Sequence, residues 1–261
     1  MFVGLAAASL VIFVRLALRM RAIGGSVKAE RFVLPDLLTA TVLIAFFSMG
    51  ALYSFSHPGP TVSAAKQMEQ VLPGAFFILF IAICVGAYLT YRGANLLELL
   101  GVRRMPWWQA VGFAALYLVA AVPLILLATA AMHAGQDNGD EQLIVQLFRT
   151  EAAKGDYSAI GIIALASVLM APIGEEFLFR GFFYGVLKRF VGSVGSAVFC
   201  SVLFALIHAN LASAPGLFVL ALALTLVYER TGSILAPISM HALFNLSSLA
   251  WLYASARGWI Q

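Results

Sequence analysis

Charge is what this chain has least of. Among its 261 residues only 11% are Asp, Glu, Lys or Arg, 62% are hydrophobic, and the mean hydropathy is +0.95. A soluble domain covers its surface with roughly 25% charged residues, so the composition excludes one and indicates a polytopic membrane protein. Cysteine is as sparse: Cys84 and Cys200 both fall inside apolar runs. There a lone thiol behaves as a small hydrophobe, and neither a disulfide nor a Cys-ligated metal site is implied. No basic residue precedes the first apolar run, as one would in a cleaved signal peptide. The chain has no His-Glu-x-x-His helix, no Gly-x-Ser-x-Gly motif, no low-complexity segment and no clear internal repeat. Asp137 and Asp140 sit in a polar loop instead of on facing helices, which argues against paired intramembrane aspartates.

What is present is a series of apolar runs, near residues 2–18, 36–55, 71–91, 107–131, 159–189, 193–210, 215–228 and 233–254. These predict an all-α, polytopic transmembrane bundle of about eight spans. The cluster from His57 to Pro60 ends the second run, and Trp107-Trp108 open the fourth with the aromatics expected at a membrane interface. Residues 95–105 are too short to span and read as an interfacial segment in which Glu98 is solvated. Residues 133–158 form the most polar stretch, with Asp137, Asp140, Glu141, Glu151 and Asp156, and include a helix near 140–153. His57 and His133 fall in loops and read as solvated. One membrane domain results, with N-terminal helices over 1–158 and a core over 159–254.

The net charge of +4 does not point to nucleic acid, because the basic residues gather at the ends of apolar runs instead of forming a face. Alternating sides from an outside N-terminus puts Arg15, Arg19, Arg21, Lys28, Arg31, Arg92, Arg103, Arg104, Arg180, Lys188, Arg189 and Arg230 on the inner side, and Lys66, Arg149, Lys154 and Arg257 on the outer. That asymmetry follows the positive-inside rule and predicts a multi-pass protein of a bacterial-type plasma membrane with both termini outside.

Within the apolar core stand Glu175, Glu176, Arg180, His208, His241 and Asn245. Each ionisable group at bilayer depth costs several kcal/mol unless paired or wet, so the set reads as a functional site. On a helix Glu175 and Glu176 project about 100° apart, while Glu176 and Arg180 share a face with the glutamate N-terminal. Glu176 therefore has a built-in partner. Glu175 does not, and an unpartnered carboxylate is the one available to take a proton as a general base. His241 and Asn245 share a face four residues apart. At about 1.5 Å per residue, Glu175 lies roughly 20 Å from Lys188-Arg189 and His208 about 22 Å from Ser193, depths compatible with a single polar layer.

These residues resemble the CAAX protease and bacteriocin-processing (Abi) family of intramembrane proteases. The resemblance rests on Glu175-Glu176 with Arg180, Phe204 with His208, His241 with Asn245, and the run from Tyr228 to Ser233, and covers about residues 160–250. It implies an intramembrane endopeptidase that hydrolyses a peptide bond of a membrane-associated, prenylated or leader-bearing protein with a glutamate-activated water. By that resemblance Glu175 is the base and His208 helps hold the water. His241 and Asn245 stabilise the oxyanion, and Glu176 with Arg180 orients the site; Phe204 is packing. No cofactor is required on this reading, with zinc held by Glu175, His208 and His241 as the alternative. Partners are the substrate polypeptide and the lipid bilayer. Two further readings stay open: a non-catalytic membrane scaffold or immunity protein, and a proton-coupled transporter, against which stands the confinement of the polar groups to one half of the chain. Ser201 and Ser247 read as small packing residues.

Overall fold

The computed structural model describes residues 2–23, 25–57, 64–133 and 143–260. The described chain is helical, with α1 at Phe2–Ile23, α2 at Leu34–Ser56, α3 at Ala64–Tyr91, the short α4 at Leu96–Leu99, a 3-10 turn at Val102–Arg104, α5 at Trp107–His133 and α6 at Leu143–Lys154. A continuous helix α7 comes next at Tyr157–Val191, then α8 at Ser193–Ile207, α9 at Ala214–Thr231 and α10 at Leu235–Ala256. Among the described residues six helices, α2, α3, α5, α7, α9 and α10, are long and apolar enough to cross a membrane, and α1 and α8 carry the shorter apolar stretches Gly4–Leu18 and Ser193–Ile207. The eight expected runs are thus all helices, and α8, at 15 residues, is shorter than an ordinary span.

The outside of the bundle is apolar, as a lipid-facing surface must be: Val42, Met49, Phe80 and Ile83 are exposed along α2 and α3. Because lipid tails are as apolar as leucine, helix association depends on close packing instead of release from water. Small residues supply it on α5, where Ala110, Ala114 and Ala121 are fully buried in a cluster with Ala223 of α9 and Ala236 of α10. Large aromatics supply it around α7, where Phe179 packs edge-on against Phe183 at 5.4 Å and Phe204 at 5.2 Å. Gly174 lets α7 approach α3 closely, since a Cβ there would lie 2.7 Å from Ile78 Cγ2.

One end of the bundle is tied by polar contacts between distant segments. Glu229 of α9 is buried and accepts from Tyr184 (2.6 Å), from Lys188 and from the Val27 N–H (3.2 Å). Lys188 also donates to Val27 O at 2.8 Å, Arg104 to Ser26 O at 2.6 Å, and the Ile234 N–H to Leu100 O at 2.9 Å. Buried Asp36 pairs with Arg92 at 2.8 Å and accepts from Tyr88 at 3.0 Å. The α1–α2 linker, the α3–α5 connection, the end of α7 and the α9–α10 turn therefore meet at one basic end.

At the opposite end α6 packs against α7 and α10. Its presence matches the helix expected near 140–153, and Asp156 caps α7 by accepting from the Ala159 N–H at 3.0 Å. Asp137, Asp140, Glu141 and Pro60 lie outside the described residues. Glu151, within that helix, is buried and paired with Lys154 at 2.7 Å. Glu98 pairs with Arg31 at 2.9 Å, both side chains being exposed, and His57 is exposed and stacked on Tyr53.

Candidate active site

The adjacent glutamates occupy different environments. Glu176 is fully buried, and its Oε1 accepts from Arg180 Nη1 at 2.9 Å and from His241 Nδ1 at 2.8 Å. Arg180, 1% exposed, donates Nη2 to Ala221 O of α9 at 3.0 Å, and its guanidinium sits 4.8 Å from the Phe204 ring centroid. The expected Glu176–Arg180 pair is present, and it bridges α7 to α9 and α10. Phe204 packs beneath Arg180 and against both imidazoles, at 4.8 Å from His208 and 5.8 Å from His241.

Glu175 instead lines a cavity of about 450 Å³ together with His208, His241 and Asn245. Ile125 and Thr129 of α5, Ile144 and Val145 of α6, Leu220 of α9 and Phe244 of α10 supply further walls. Glu175 is half-buried, and its Oε2 has no hydrogen-bond partner among the described residues. The four polar groups expected in one layer do line a single cavity.

Hydrogen bonds dictate which imidazole nitrogen is available. His208 closes α8, and its Nδ1 lies 2.7 Å from Phe204 O; since a carbonyl only accepts, Nδ1 is the donor and Nε2 is left over. The same logic applies to His241, whose Nδ1–H donates to the Glu176 carboxylate. Each ring thus offers Nε2, which accepts when neutral and donates when protonated.

Asn245 is held through a local change in helix register. Residues Leu165–Met170 are π-helical, and the Ala171 N–H reaches back five residues to Ala166 O. In that register residue 172 would bond to Ser167 O, but Pro172 has no N–H. The freed Ser167 carbonyl accepts from Asn245 Nδ2 at 2.7 Å. One amide hydrogen of Asn245 is therefore engaged and the second is available. Ser201 and Ser247 bond only carbonyls of their own helices among the described residues, at 2.7 Å to Ala197 O and 2.8 Å to Phe244 O.

Sequence reasoning missed the Glu176–His241 bond, which joins residues 65 apart, and the part of Ser167 and Ala221, which act through backbone carbonyls that any residue type carries. Pro172 was a readable signal: a residue without an N–H inside a long apolar helix must free a carbonyl.

No three His, Cys, Asp or Glu side chains among the described residues group closely enough to hold a metal ion. Glu175, His208 and His241 share a cavity without forming such a set.

Residues 158–247 match the family model described as Type II CAAX prenyl endopeptidase Rce1-like. Among curated proteins, the chain is similar to CAAX prenyl protease 2 of Arabidopsis thaliana, 26% identical over 65% of this chain and 63% of that protein. It is also similar to a putative membrane peptidase, YdiL, of Bacillus subtilis (strain 168), 27% identical over 37% of this chain and 39% of that protein. The chain thus covers less than two thirds of the length of either relative, and no solved structure matches it significantly. The stretch that is similar to this family, residues 158–247, holds Glu175, Glu176, Arg180, His208, His241 and Asn245.

Proposed function

We propose that this chain is an intramembrane endopeptidase that hydrolyses a peptide bond of a membrane-associated polypeptide in the Glu175 cavity. The observation that carries the reading is the division between the glutamates: Glu176 is paired through Oε1 with Arg180 and His241, while Glu175 lines the cavity with no charged partner among the described residues. Glu175 takes a proton from a water that His208 Nε2 holds by accepting its second O–H. The water oxygen bonds to the scissile carbonyl carbon, and the oxyanion accepts from the free Asn245 N–H and from His241 Nε2–H. As the C–N bond breaks, Glu175 returns the proton to the leaving nitrogen, giving a carboxylic acid and an amine. Glu176 and Arg180 hold His241 in place.

The name of the Arabidopsis relative supports a substrate with a prenylated C-terminal segment, and a leader-bearing polypeptide would meet the same chemistry. The mechanism uses protein groups and water with no metal, so exhaustive chelation is expected to leave cleavage intact and added zinc to leave it unraised. The decisive experiment offers purified protein a panel of membrane-tethered and lipidated peptides. Glu175→Gln and His208→Ala are expected to lower kcat by about 10²–10⁴, the usual contribution of general acid–base catalysis, with unfolding temperatures unchanged. Cleavage by Glu175→Gln at the wild-type rate would refute the assignment.

A further inference from the structure

Helix α9 separates two openings. Gly216, Leu217 and Leu220 face the Glu175 cavity, while Phe218, Val219, Leu222, Leu226 and Glu229 line a groove of about 420 Å³. At about 100° per residue the two sets fall on opposite sides of the helix. The walls of the groove are α1, through Leu10, Val14 and Ala17, and α8, through Val194, Ala197 and Val198. Both helices pack against α9. Leu10, Val14, Val194 and Val198 are also exposed on the outside of the bundle, so the groove opens sideways, where lipid lies. Its volume is in the range of small-ligand sites, about 300–1,000 Å³.

The groove is apolar along its length and polar at one end. From Phe218 to Glu229 it follows α9 for about 16 Å at 1.5 Å per residue, which is half of a hydrocarbon core about 30 Å thick and so the depth of one leaflet. The polar knot around Glu229 closes it, with Tyr184, Lys188 and the Val27 N–H donating to the carboxylate. Lys188 neutralises Glu229 and keeps a donor in reserve: an ammonium has three N–H groups, Glu229 and Val27 O take two, and the side chain is 11% exposed. Lys28 and Arg189, next in sequence to Val27 and Lys188, are exposed and pair with no carboxylate among the described residues. Even with Glu30 in the same linker, this end of the groove carries excess positive charge.

An apolar channel one leaflet deep that ends in uncompensated basic groups matches the two halves of an amphiphile, a hydrocarbon chain and a phosphate. We propose that the groove binds one phospholipid with an anionic headgroup, an acyl chain lying along α9 between α1 and α8 and the phosphate held by Lys188, Lys28 and Arg189. A zwitterionic headgroup brings the same chain and phosphate but adds a cation, which the basic groups repel. Each basic side chain near an anionic lipid strengthens binding roughly fivefold. The lipid joins α1 to α8 across a gap that protein does not fill. This assignment is independent of the hydrolase reading, because α9 stands between the groove and Glu175.

The test offers the full chain, purified and delipidated in detergent, dioleoyl phosphatidylglycerol or dioleoyl phosphatidylcholine, and reads retained lipid by native mass spectrometry and stability by thermal unfolding. One phosphatidylglycerol per chain is expected to be retained and to raise the unfolding temperature, with phosphatidylcholine bound roughly tenfold more weakly. Lys28→Gln and Arg189→Gln, both at exposed positions, are expected to weaken phosphatidylglycerol roughly fivefold each and to leave the lipid-free unfolding temperature unchanged. Ala17→Trp and Val194→Trp fill the groove from opposite walls and are expected to abolish retention; either variant that melts like the parent without lipid makes the comparison. Equal retention of the two lipids would overturn the anionic headgroup, and retention at the parent level in a folded tryptophan variant would overturn the groove. Stabilisation by inorganic phosphate equal to that by phosphatidylglycerol would show an anion site without a chain and overturn the lipid. Glu175→Gln is expected to bind phosphatidylglycerol as the parent does.

Discussion

Two neighbouring carboxylates take different parts because successive residues on a helix face different surroundings. Glu176 faces the protein, where Arg180 and His241 compensate its charge; Glu175 faces the cavity. Removing one partner of a buried ion pair costs about 3–5 kcal/mol because the other charge is left uncompensated. Glu176→Gln is therefore expected to lower the unfolding temperature in detergent and to reduce cleavage together. Glu175→Gln should lower kcat by about 10²–10⁴ and leave the unfolding temperature near that of the parent. Thermal melts beside peptide cleavage distinguish the pair, and equal destabilisation by both substitutions would contradict the division of labour.

Among the elements, α7 matters most for the site. Its register changes at Leu165–Met170 and again at Phe177–Tyr184, on either side of the short α-helical stretch that carries the glutamates. π-helical turns rotate the helix downstream of them and free carbonyls, and the first of them hands Ser167 O to Asn245. Pro172→Ala would supply an N–H able to compete for that carbonyl. A neutral hydrogen bond contributes about 0.5–1.5 kcal/mol, so kcat is expected to fall about three- to tenfold with KM little changed and stability equal or higher. Steady-state kinetics on the purified variant checks this. A large loss of stability would show that the proline sustains the helix register itself.

At the scale of the whole molecule, the polar knot at the basic end and the cavity are separate polar clusters linked through α7, α9 and α10. Lys188 and Glu229 lie in the first, roughly 20 Å along α7 from Glu175 by helical rise. Lys188→Met leaves Glu229 with Tyr184 and the Val27 N–H but without a cation. It is expected to destabilise the protein by about 3 kcal/mol, read by unfolding in detergent, while kcat per folded molecule stays at the parent value. A selective fall in kcat with stability unchanged would place the knot in the reaction instead of the scaffold.

The amino-acid sequence alone determined the membrane class, the helical runs and the i,i+4 pair of Glu176 with Arg180, because composition and periodicity are local properties that need no partner segment. It also marked out Glu175, His208, His241 and Asn245, since polar side chains are conspicuous against apolar sequence. It left the shorter reach of α8 undistinguished from a true span, because hydropathy registers an apolar run and not where backbone hydrogen bonding stops. Only the tertiary structure decided that Glu176 binds His241, that Ser167 and Ala221 serve through their carbonyls, and that α1 and α8 leave a groove along α9. Those features depend on which backbones approach across tens to hundreds of residues and on a π-helical register, and neither leaves a periodic trace in the sequence.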